Sequence, residues 1–206
     1  MRVGILGGTF NPPHIAHLAC AQEAHTQLGL DRVLLMPAGE PPHKTVAPGD
    51  PSPRQRFELC RLAVAGDARF DVSAVELERP GRSYTADTLA LLHERAPEDE
   101  LTFIVGGDMA ASFPSWHEPE TVLSLATLAV AERRGAKRDA IERALEPLAG
   151  AERVVYFDMP RIDVSSSELR TRVAQGRPIR YLVPDAVADA IAAEGLYRGV
   201  RREVTT

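Results

Sequence analysis

Residues Gly7–His17 read GGTFNPPHIAH and lie between two segments of different character. The short run before them, Val3–Leu6, is apolar and predicts a strand, whereas the alanine- and leucine-rich segment Ile15–Leu28 predicts a helix. The stretch therefore predicts a strand, a glycine turn and the first turn of a helix. At such a junction the unpaired amides and the helix dipole converge, which favours the binding of an anion such as a phosphate.

The pattern of strand followed by helix continues along most of the chain. Alternation of this kind predicts an α/β fold with a doubly wound, mainly parallel sheet. Candidate strands are Val3–Leu6, Arg32–Pro37, Phe70–Glu76, Leu101–Val105, Thr127–Ala131 and Arg153–Phe157, and candidate helices are Ile15–Leu28, Pro53–Ala65, Thr85–Arg95, Arg138–Leu148, Ser166–Gln175 and Pro184–Glu194.

The predicted sheet indicates where a ligand would bind. In doubly wound sheets, ligands lie beyond the carboxyl ends of the strands at the point where the strand order reverses. We therefore expect the loop within Gly7–His17 to line that crevice. The Pro/Gly-rich loop of residues 38–53 has no periodicity, and so long a loop in a compact domain is usually functional. We expect a single domain over residues 1–197 and a solvated tail over 198–206.

The composition excludes several classes of protein. The 206 residues are 44% hydrophobic and 26% charged, as in an ordinary globular protein, and the net charge of −5 argues against a nucleic-acid partner. Cys20 and Cys60 have neither the spacing of a metal site nor that of a disulfide framework, which favours a reducing compartment. No apolar run approaches the roughly 20 residues of a membrane span, and no signal-peptide pattern is present. We expect a cytoplasmic protein with no membrane partner.

The chemistry of the first stretch depends on its glycines and histidines. Gly7 and Gly8 allow the backbone to approach a ligand, and the two prolines that follow stiffen the loop. His14 and His17 are three residues apart and face the same side of the helix start. A plain turn with two partly exposed histidines is one alternative. A metal site is another, although no neighbouring Cys, Asp or Glu completes a ligand set.

Two later stretches add candidates for nucleotide binding. In residues 164–170, VSSSELR, the serines would cap a helix under any function, but Arg170 could also reach an anion held at that helix start. Gly106-Gly107-Asp108 follows a candidate strand. It could be a turn in which Asp108 caps a helix, or a place where adenosine approaches the backbone and Asp108 binds a ribose hydroxyl.

Three further features could be structural or functional. Thr85 in SYTADTL, residues 83–89, could simply begin a helix. Trp116 is the chain's single tryptophan, and its polar, proline-flanked surroundings favour partial exposure rather than full burial. Lys44 could be a solvated loop charge, or it could clamp phosphates from a loop that closes on the substrate.

These motifs resemble those of the bacterial nicotinate mononucleotide adenylyltransferases, a family of the nucleotidyltransferase group with an H-x-G-H motif. The first stretch is similar to GGTFDPPHxGH, residues 164–170 to [I/V]-S-S-T-x-[I/L]-R, residues 83–89 to SYTxDTL and residues 41–44 to PPHK. The block GGDMAASFPSWHEPE, residues 106–120, is similar to a G-x-D block that continues to a Trp. The chain departs from the family at Asn11 (Asp), Ala16 (Gly) and Ser167 (Thr), and in residues 132–135, ERRG, where many members have Arg-Pro-Gly.

The resemblance implies a Rossmann-like nucleotidyltransferase fold and a reaction. ATP and nicotinate mononucleotide would give nicotinate adenine dinucleotide and pyrophosphate in NAD biosynthesis, with Mg²⁺ accompanying ATP. A homo-oligomer is compatible with the sequence. The implied catalytic residues are His14, His17, Lys44 and Arg170; the implied ATP-binding residues are Gly7, Gly8, Thr9, Phe10, His17, Gly106, Asp108, Ser166, Ser167 and Arg170; and the implied mononucleotide-binding residues are Lys44, Tyr84, Thr85, Trp116 and His117.

Two other functions fit the same motifs. One is an adenylyltransferase that uses nicotinamide mononucleotide or phosphopantetheine as its acceptor. The other is a non-catalytic nucleotide-binding protein on the same scaffold, against which the retention of both histidines, Lys44 and Arg170 argues. SYTADTL and the block that contains Trp116 favour the nicotinate acceptor.

Overall fold

A computed structural model of the chain describes residues 1–42, 49–132 and 138–198. These residues form one sheet of six strands, in which every pair of neighbours is parallel. The strands are β1 (Arg2–Gly8), β2 (Arg32–Pro37), β3 (Phe70–Val72), β4 (Glu100–Gly106), β5 (Ala126–Glu132) and β6 (Val154–Asp158). Their order across the sheet is β3-β2-β1-β4-β5-β6.

Helices connect the strands, because parallel neighbours require crossover connections. Short 3₁₀ turns occupy Phe113–Ser115 and Ala151–Arg153. The helices in the described part of the chain are α1 (Ile15–Leu28), α2 (Pro53–Val64), α3 (Val75–Glu78), α4 (Thr85–Arg95), α5 (Gly107–Ser112), α6 (Pro119–Leu125), α7 (Arg138–Leu145), α8 (Ser166–Ala174) and α9 (Asp185–Ala193). None of them is long and apolar enough to cross a membrane.

Both faces of the sheet are buried, which explains why β4 and β5 are almost continuously apolar. Phe103 and Val105 of β4 belong to the core on one face, whereas Ile104 between them belongs to the core on the other. A third apolar cluster joins α2 to α8 and α9 through residues such as Leu59 and Leu169. That cluster holds α8 against α2 and α9.

The predicted α/β architecture is confirmed, and most element ends lie within one to three residues of the prediction. The strand predicted over Phe70–Glu76 is wrong in its second half. β3 ends at Val72, and Val75–Glu78 form the single helical turn α3. The Ser73 hydroxyl accepts from the amide of Val75 and so favours a turn over further extension. Helices α5 and α6 were not predicted, because glycines and prolines mark their segments as loop.

β1 and β4 are the two central strands of the sheet, and the strand order reverses between them. The carboxyl ends of these strands are Gly8 and Gly106. Because parallel strands end at the same edge, the loops after β1 and β4 meet there. The first glycine-rich stretch therefore lies at the crevice where the sequence predicts a ligand.

Candidate active site

The loop between β1 and α1 is tightly packed against the sheet. Phe10 is buried and has φ 48°, a left-handed conformation that residues other than glycine rarely adopt. Its ring lies under Gly8, where an added Cβ would come within 3.2 Å of it, and a Cβ at Gly7 would come within 3.0 Å of the Phe103 ring. A side chain at either position would be tight against an aromatic ring, which would have to shift by a few tenths of an ångström.

His14 and His17 lie together at the start of α1, as the sequence predicts. Their rings stack with centroids 3.7 Å apart, and the Phe10 ring meets His17 edge-on at 4.9 Å. The His14 amide donates to Nδ1 of His17 at 3.2 Å, so that Nδ1 is an acceptor. In the neutral imidazole the other nitrogen, Nε2, then carries the proton and can donate to a phosphate oxygen.

His14 is the more buried histidine of the pair, with 5% of its surface exposed. Burial lowers its pKa from 6.5 to about 4, because the charged form would lose its hydration. The side chain is therefore neutral at physiological pH. Its Nδ1 is enclosed and has no hydrogen-bond partner among the residues that the structure describes.

The second predicted stretch docks onto this loop. Ser165 caps α8 by accepting from the Glu168 amide at 3.2 Å, as its sequence position suggests. The next serine, Ser166, donates from its hydroxyl to the carbonyl of Pro12 at 2.9 Å. The start of α8 is thus held beside the start of α1, so that the positive ends of both helices serve one site.

Arg170 joins the same two segments. Its Nη1 donates to the carbonyl of Asn11 at 2.8 Å, and its Nη2 donates to the Ser167 hydroxyl at 3.2 Å. A guanidinium has five N–H donors, so further donors stay available for a phosphate. The structure therefore brings Arg170 and Ser167 to the loop that carries the histidine pair.

Asn11 is the centre of a network that the sequence motifs do not reveal. Its Nδ2 donates to Asp50 at 2.8 Å, and its Oδ1 accepts from the Tyr197 hydroxyl at 2.7 Å. An aspartate at this position would place a second carboxylate beside Asp50 and would have no donor for it. Asp50 and Tyr197 carry no local motif that could have identified them, since both partners are distant in sequence.

The end of β4 forms the other wall of the crevice. Gly106 caps α5, and a Cβ there would meet no atom within 4 Å, so a ligand can approach this backbone. Asp108 is exposed in the first turn of α5. The alternative in which Asp108 itself caps the helix is wrong, because Gly106 occupies the cap position.

The residues predicted to bind the mononucleotide lie on α4 and after α5. Tyr84 caps α4, Thr85 is its first residue, and the Tyr84 ring lies 4.3 Å from the exposed ring of His117. Trp116 is partly buried, as predicted, with its ring 5.2 Å from Phe113. It also lies 6.1 Å from Phe103, the ring beneath Gly7, which connects it to the first loop.

Three predictions fall on parts of the chain outside the described residues. These are the clamp role of Lys44, the departure from the family pattern at Arg133-Arg134-Gly135, and the solvated tail over 198–206, of which only residue 198 is described.

Comparison with known proteins identifies the class of enzyme to which this fold and site belong. The chain is a nucleotidyltransferase, and a family model described as cytidylyltransferase-like matches residues 5–172. It is 49% identical to a probable nicotinate-nucleotide adenylyltransferase of Roseiflexus sp. strain RS-1, over 95% of this chain and 98% of the relative. It is 44% identical to a protein of the same description from Thermus thermophilus, over 96% of this chain and 100% of that relative. The chain belongs to the nicotinate-nucleotide adenylyltransferase family.

Solved structures confirm the fold. The nicotinic acid mononucleotide adenylyltransferase of Plasmodium falciparum, complexed with NaAD, superimposes with a TM-score of 0.76 over 95% of this chain and 97% of that one, at 19% identity. The same enzyme complexed with APC gives a TM-score of 0.74. The Rossmann-like nucleotidyltransferase fold expected from the sequence is therefore confirmed.

Proposed function

We propose that this protein transfers the adenylyl group of ATP to nicotinate mononucleotide, giving nicotinate adenine dinucleotide and pyrophosphate in NAD biosynthesis. The observation that carries the proposal is the meeting of two helix starts at the β1–β4 crevice. There α1 supplies the stacked His14–His17 pair, and α8 supplies Ser167 and Arg170. Family membership supports the same reaction.

The arrangement suits direct attack of the mononucleotide phosphate on the α-phosphorus of ATP. Catalysis would come from positioning and from stabilising charge, as in other transfers of phosphorus groups. His17, whose Nδ1 accepts from the His14 amide, would donate from Nε2 to an oxygen on the α-phosphate, with His14 beside it. Because the two rings are already stacked, they would not need to rearrange as negative charge develops on the phosphate in the transition state.

The leaving pyrophosphate would be bound at the start of α8. The amides there, the Ser167 hydroxyl and the free donors of Arg170 would share its charge. Gly7, Gly8 and Thr9 would line the approach of the triphosphate. We also assign Lys44 to this group as a cation that closes over the phosphates.

Adenosine and the acceptor would occupy the two sides of the crevice. Gly106 would let adenosine approach the end of β4, where Asp108 could accept from a ribose hydroxyl. Trp116 would stack on the pyridine ring, with Tyr84 and His117 beside it. The start of α4 at Thr85 would bind the carboxylate of nicotinate better than the neutral amide of nicotinamide, because a helix N-terminus favours negative charge.

Mg²⁺ would enter as part of the ATP substrate. The described residues contain no cluster of three or more His, Cys, Asp or Glu side chains that could hold a metal ion. Triphosphate oxygens and water satisfy the octahedral preference of Mg²⁺ without a protein cage.

The test is a comparison of kcat/KM for nicotinate and nicotinamide mononucleotides with ATP and Mg²⁺. An amide in place of the carboxylate would leave the donors of the site badly matched, which costs about 1–3 kcal/mol, or on the order of ten- to a hundred-fold. We expect at least that preference for nicotinate mononucleotide. Equal use of the two acceptors would contradict the proposal, and so would turnover of phosphopantetheine alone.

A further inference from the structure

Arg56 of α2 is a fully buried arginine that no sequence motif singles out. Its side chain is 0% exposed, whereas arginines are mostly found at protein surfaces. Burial lowers its pKa, but a guanidinium keeps its charge inside proteins. A buried cation is costly unless it is well hydrogen-bonded, so its partners show what it does for the fold.

The terminal nitrogens of Arg56 bind main-chain carbonyls from two separate loops. Nη1 donates to the carbonyl of Thr9 at 2.7 Å. Nη2 donates to the carbonyls of Ala38 at 2.5 Å and Gly39 at 3.2 Å. The loop after β1 and the loop after β2 are therefore fixed to each other by a single planar group.

A second set of hydrogen bonds continues from the loop after β2 to the start of α4. The Gly39 amide donates to the Ser83 hydroxyl at 3.0 Å, and the Ser83 amide donates to the Glu40 carbonyl at 2.9 Å. The Ser83 hydroxyl also interacts with the partly buried carboxylate of Glu76. Gly39 passes so close to this segment that a Cβ would collide with the Glu76 carbonyl.

Together these contacts form a continuous bridge from Thr9 through Arg56 and Gly39 to Ser83. One end is the loop assigned above to ATP, and the other end immediately precedes Tyr84 and Thr85, assigned to the acceptor. We propose that Arg56 is a positioning residue that sets the spacing of these two half-sites, an inference that rests on the proposed function. In-line transfer needs this spacing, since a misplacement of about 1 Å can cost about 10²-fold in rate.

The geometry of the guanidinium matters as well as its charge. Its planar fork presents donors in two directions, and here they reach carbonyls on two loops. A lysine keeps the charge but offers one compact ammonium on a flexible stem. Arg56→Lys should therefore preserve the buried cation and lose the bridge, whereas Arg56→Met removes both.

The decisive measurement separates turnover from binding. For Arg56→Lys and Arg56→Met, kcat is measured with the better acceptor, and the Kd of ATP alone and of the mononucleotide alone is measured by calorimetry. We expect kcat to fall by about 10²-fold in Arg56→Met and by at least about tenfold in Arg56→Lys, with each Kd changing by less than about threefold. Arg61→Met, an exposed arginine of the same helix that pairs with Glu58, is the matched control and should resemble wild type.

A purely structural arginine would give a different result. Full activity in Arg56→Lys would show that only the charge of Arg56 matters. A loss that appears entirely as weaker ATP binding would show that Arg56 supports the ATP loop alone and does not set the spacing between the two loops. Either result overturns the proposal. The Arg56 effect is the ratio of kcat in the variant to kcat in the wild type with the same acceptor. Wild-type turnover with each mononucleotide therefore tests the proposed function separately.

Ser83→Ala tests the bridge at its other end and remains informative if Arg56→Met fails to fold. It removes the acceptor for the Gly39 amide without altering Arg56. Since both substitutions interrupt one path, the kcat effects of Arg56→Lys and Ser83→Ala should be less than multiplicative in the double variant. Fully multiplicative effects would show that the two residues act independently, and would overturn the bridge.

Discussion

The nucleotide loop (Gly7–His17) and the acceptor face (Tyr84, Thr85, Trp116 and His117) are held in different ways. In the loop, every residue from Phe10 to His14 is buried, and bonds from distant Arg170 and Tyr197 fix its backbone and Asn11. On the acceptor face His117 is exposed, and the partly buried Trp116 contacts two rings and donates from Nε1 to the Ser112 hydroxyl at 3.4 Å. The more buried region thus carries the groups proposed to act on the α-phosphate, where exact placement matters most, and the more exposed region carries the ring proposed to stack on the acceptor.

The largest effect should come from the histidine that faces the reaction. We expect His17→Ala to fold normally and to lose about 10²–10³ in kcat, the usual cost of removing one donor to developing charge. Steady-state kinetics and thermal unfolding measure the two properties. His25→Ala on the same helix is the control. Near-normal kcat in a folded His17→Ala protein would show that His17 is structural and does not contribute to catalysis.

The second effect concerns the burial of the nucleotide loop. His14 has a pKa of about 4 in the folded protein against 6.5 when unperturbed. Between these values the unfolded chain binds more protons, so the free energy of unfolding should fall as the pH is lowered from 6.5 towards 4. The full difference is roughly 3 kcal/mol at 1.36 kcal/mol for each pKa unit.

Denaturant titrations at several pH values measure this dependence, with His14→Gln as the control. The Gln side chain does not titrate, so its stability should vary less over that range. An identical pH dependence in both proteins would mean that His14 is protonated without penalty, and that the loop in solution is less closed than in the structure.

A smaller effect should follow from removing the stacking surface of the acceptor face. Trp116→Ala should weaken binding of nicotinate and nicotinamide mononucleotides alike, by about 1–3 kcal/mol, the range for stacking of a base on an aromatic ring. Trp116→Phe keeps an aromatic face and should recover most of the affinity. A change in the preference between the two acceptors would contradict the division of roles between Trp116 and Thr85.

The smallest effect is expected at Ala16, a buried residue between the two histidines. Ala16→Gly should leave ATP affinity unchanged or raise it, because it removes a methyl group beside the proposed nucleotide site. Glycine in a helix costs up to about 1 kcal/mol of stability. Calorimetry of ATP binding would contradict this expectation if Kd rose several-fold.

The sequence predicts those parts of the molecule that depend on local pattern. Alternating periodicity indicates the parallel sheet, and the reversal of strand order places the histidine pair at the crevice. It does not predict Arg56, Asp50 or Tyr197, because each acts through a partner far away in sequence and none lies in a motif. Helix α5 also escapes prediction, since its two leading glycines usually indicate a turn. The single domain over residues 1–197 and the cytoplasmic location stay predictions.

The hydrogen bond between Tyr197 and Asn11 has a consequence for the order of events during protein synthesis. The two residues are 186 positions apart, and Arg170 is 159 positions from the same asparagine. On the ribosome, the nucleotide loop emerges together with Asp50 and Arg56, which also bind it, long before Arg170 and Tyr197. A nascent chain that has completed β1 to β5 holds both histidines but lacks the hydrogen bonds from Arg170 and Tyr197. The nucleotide loop therefore gains its full set of contacts only after α8 and the residues that follow α9 have been made.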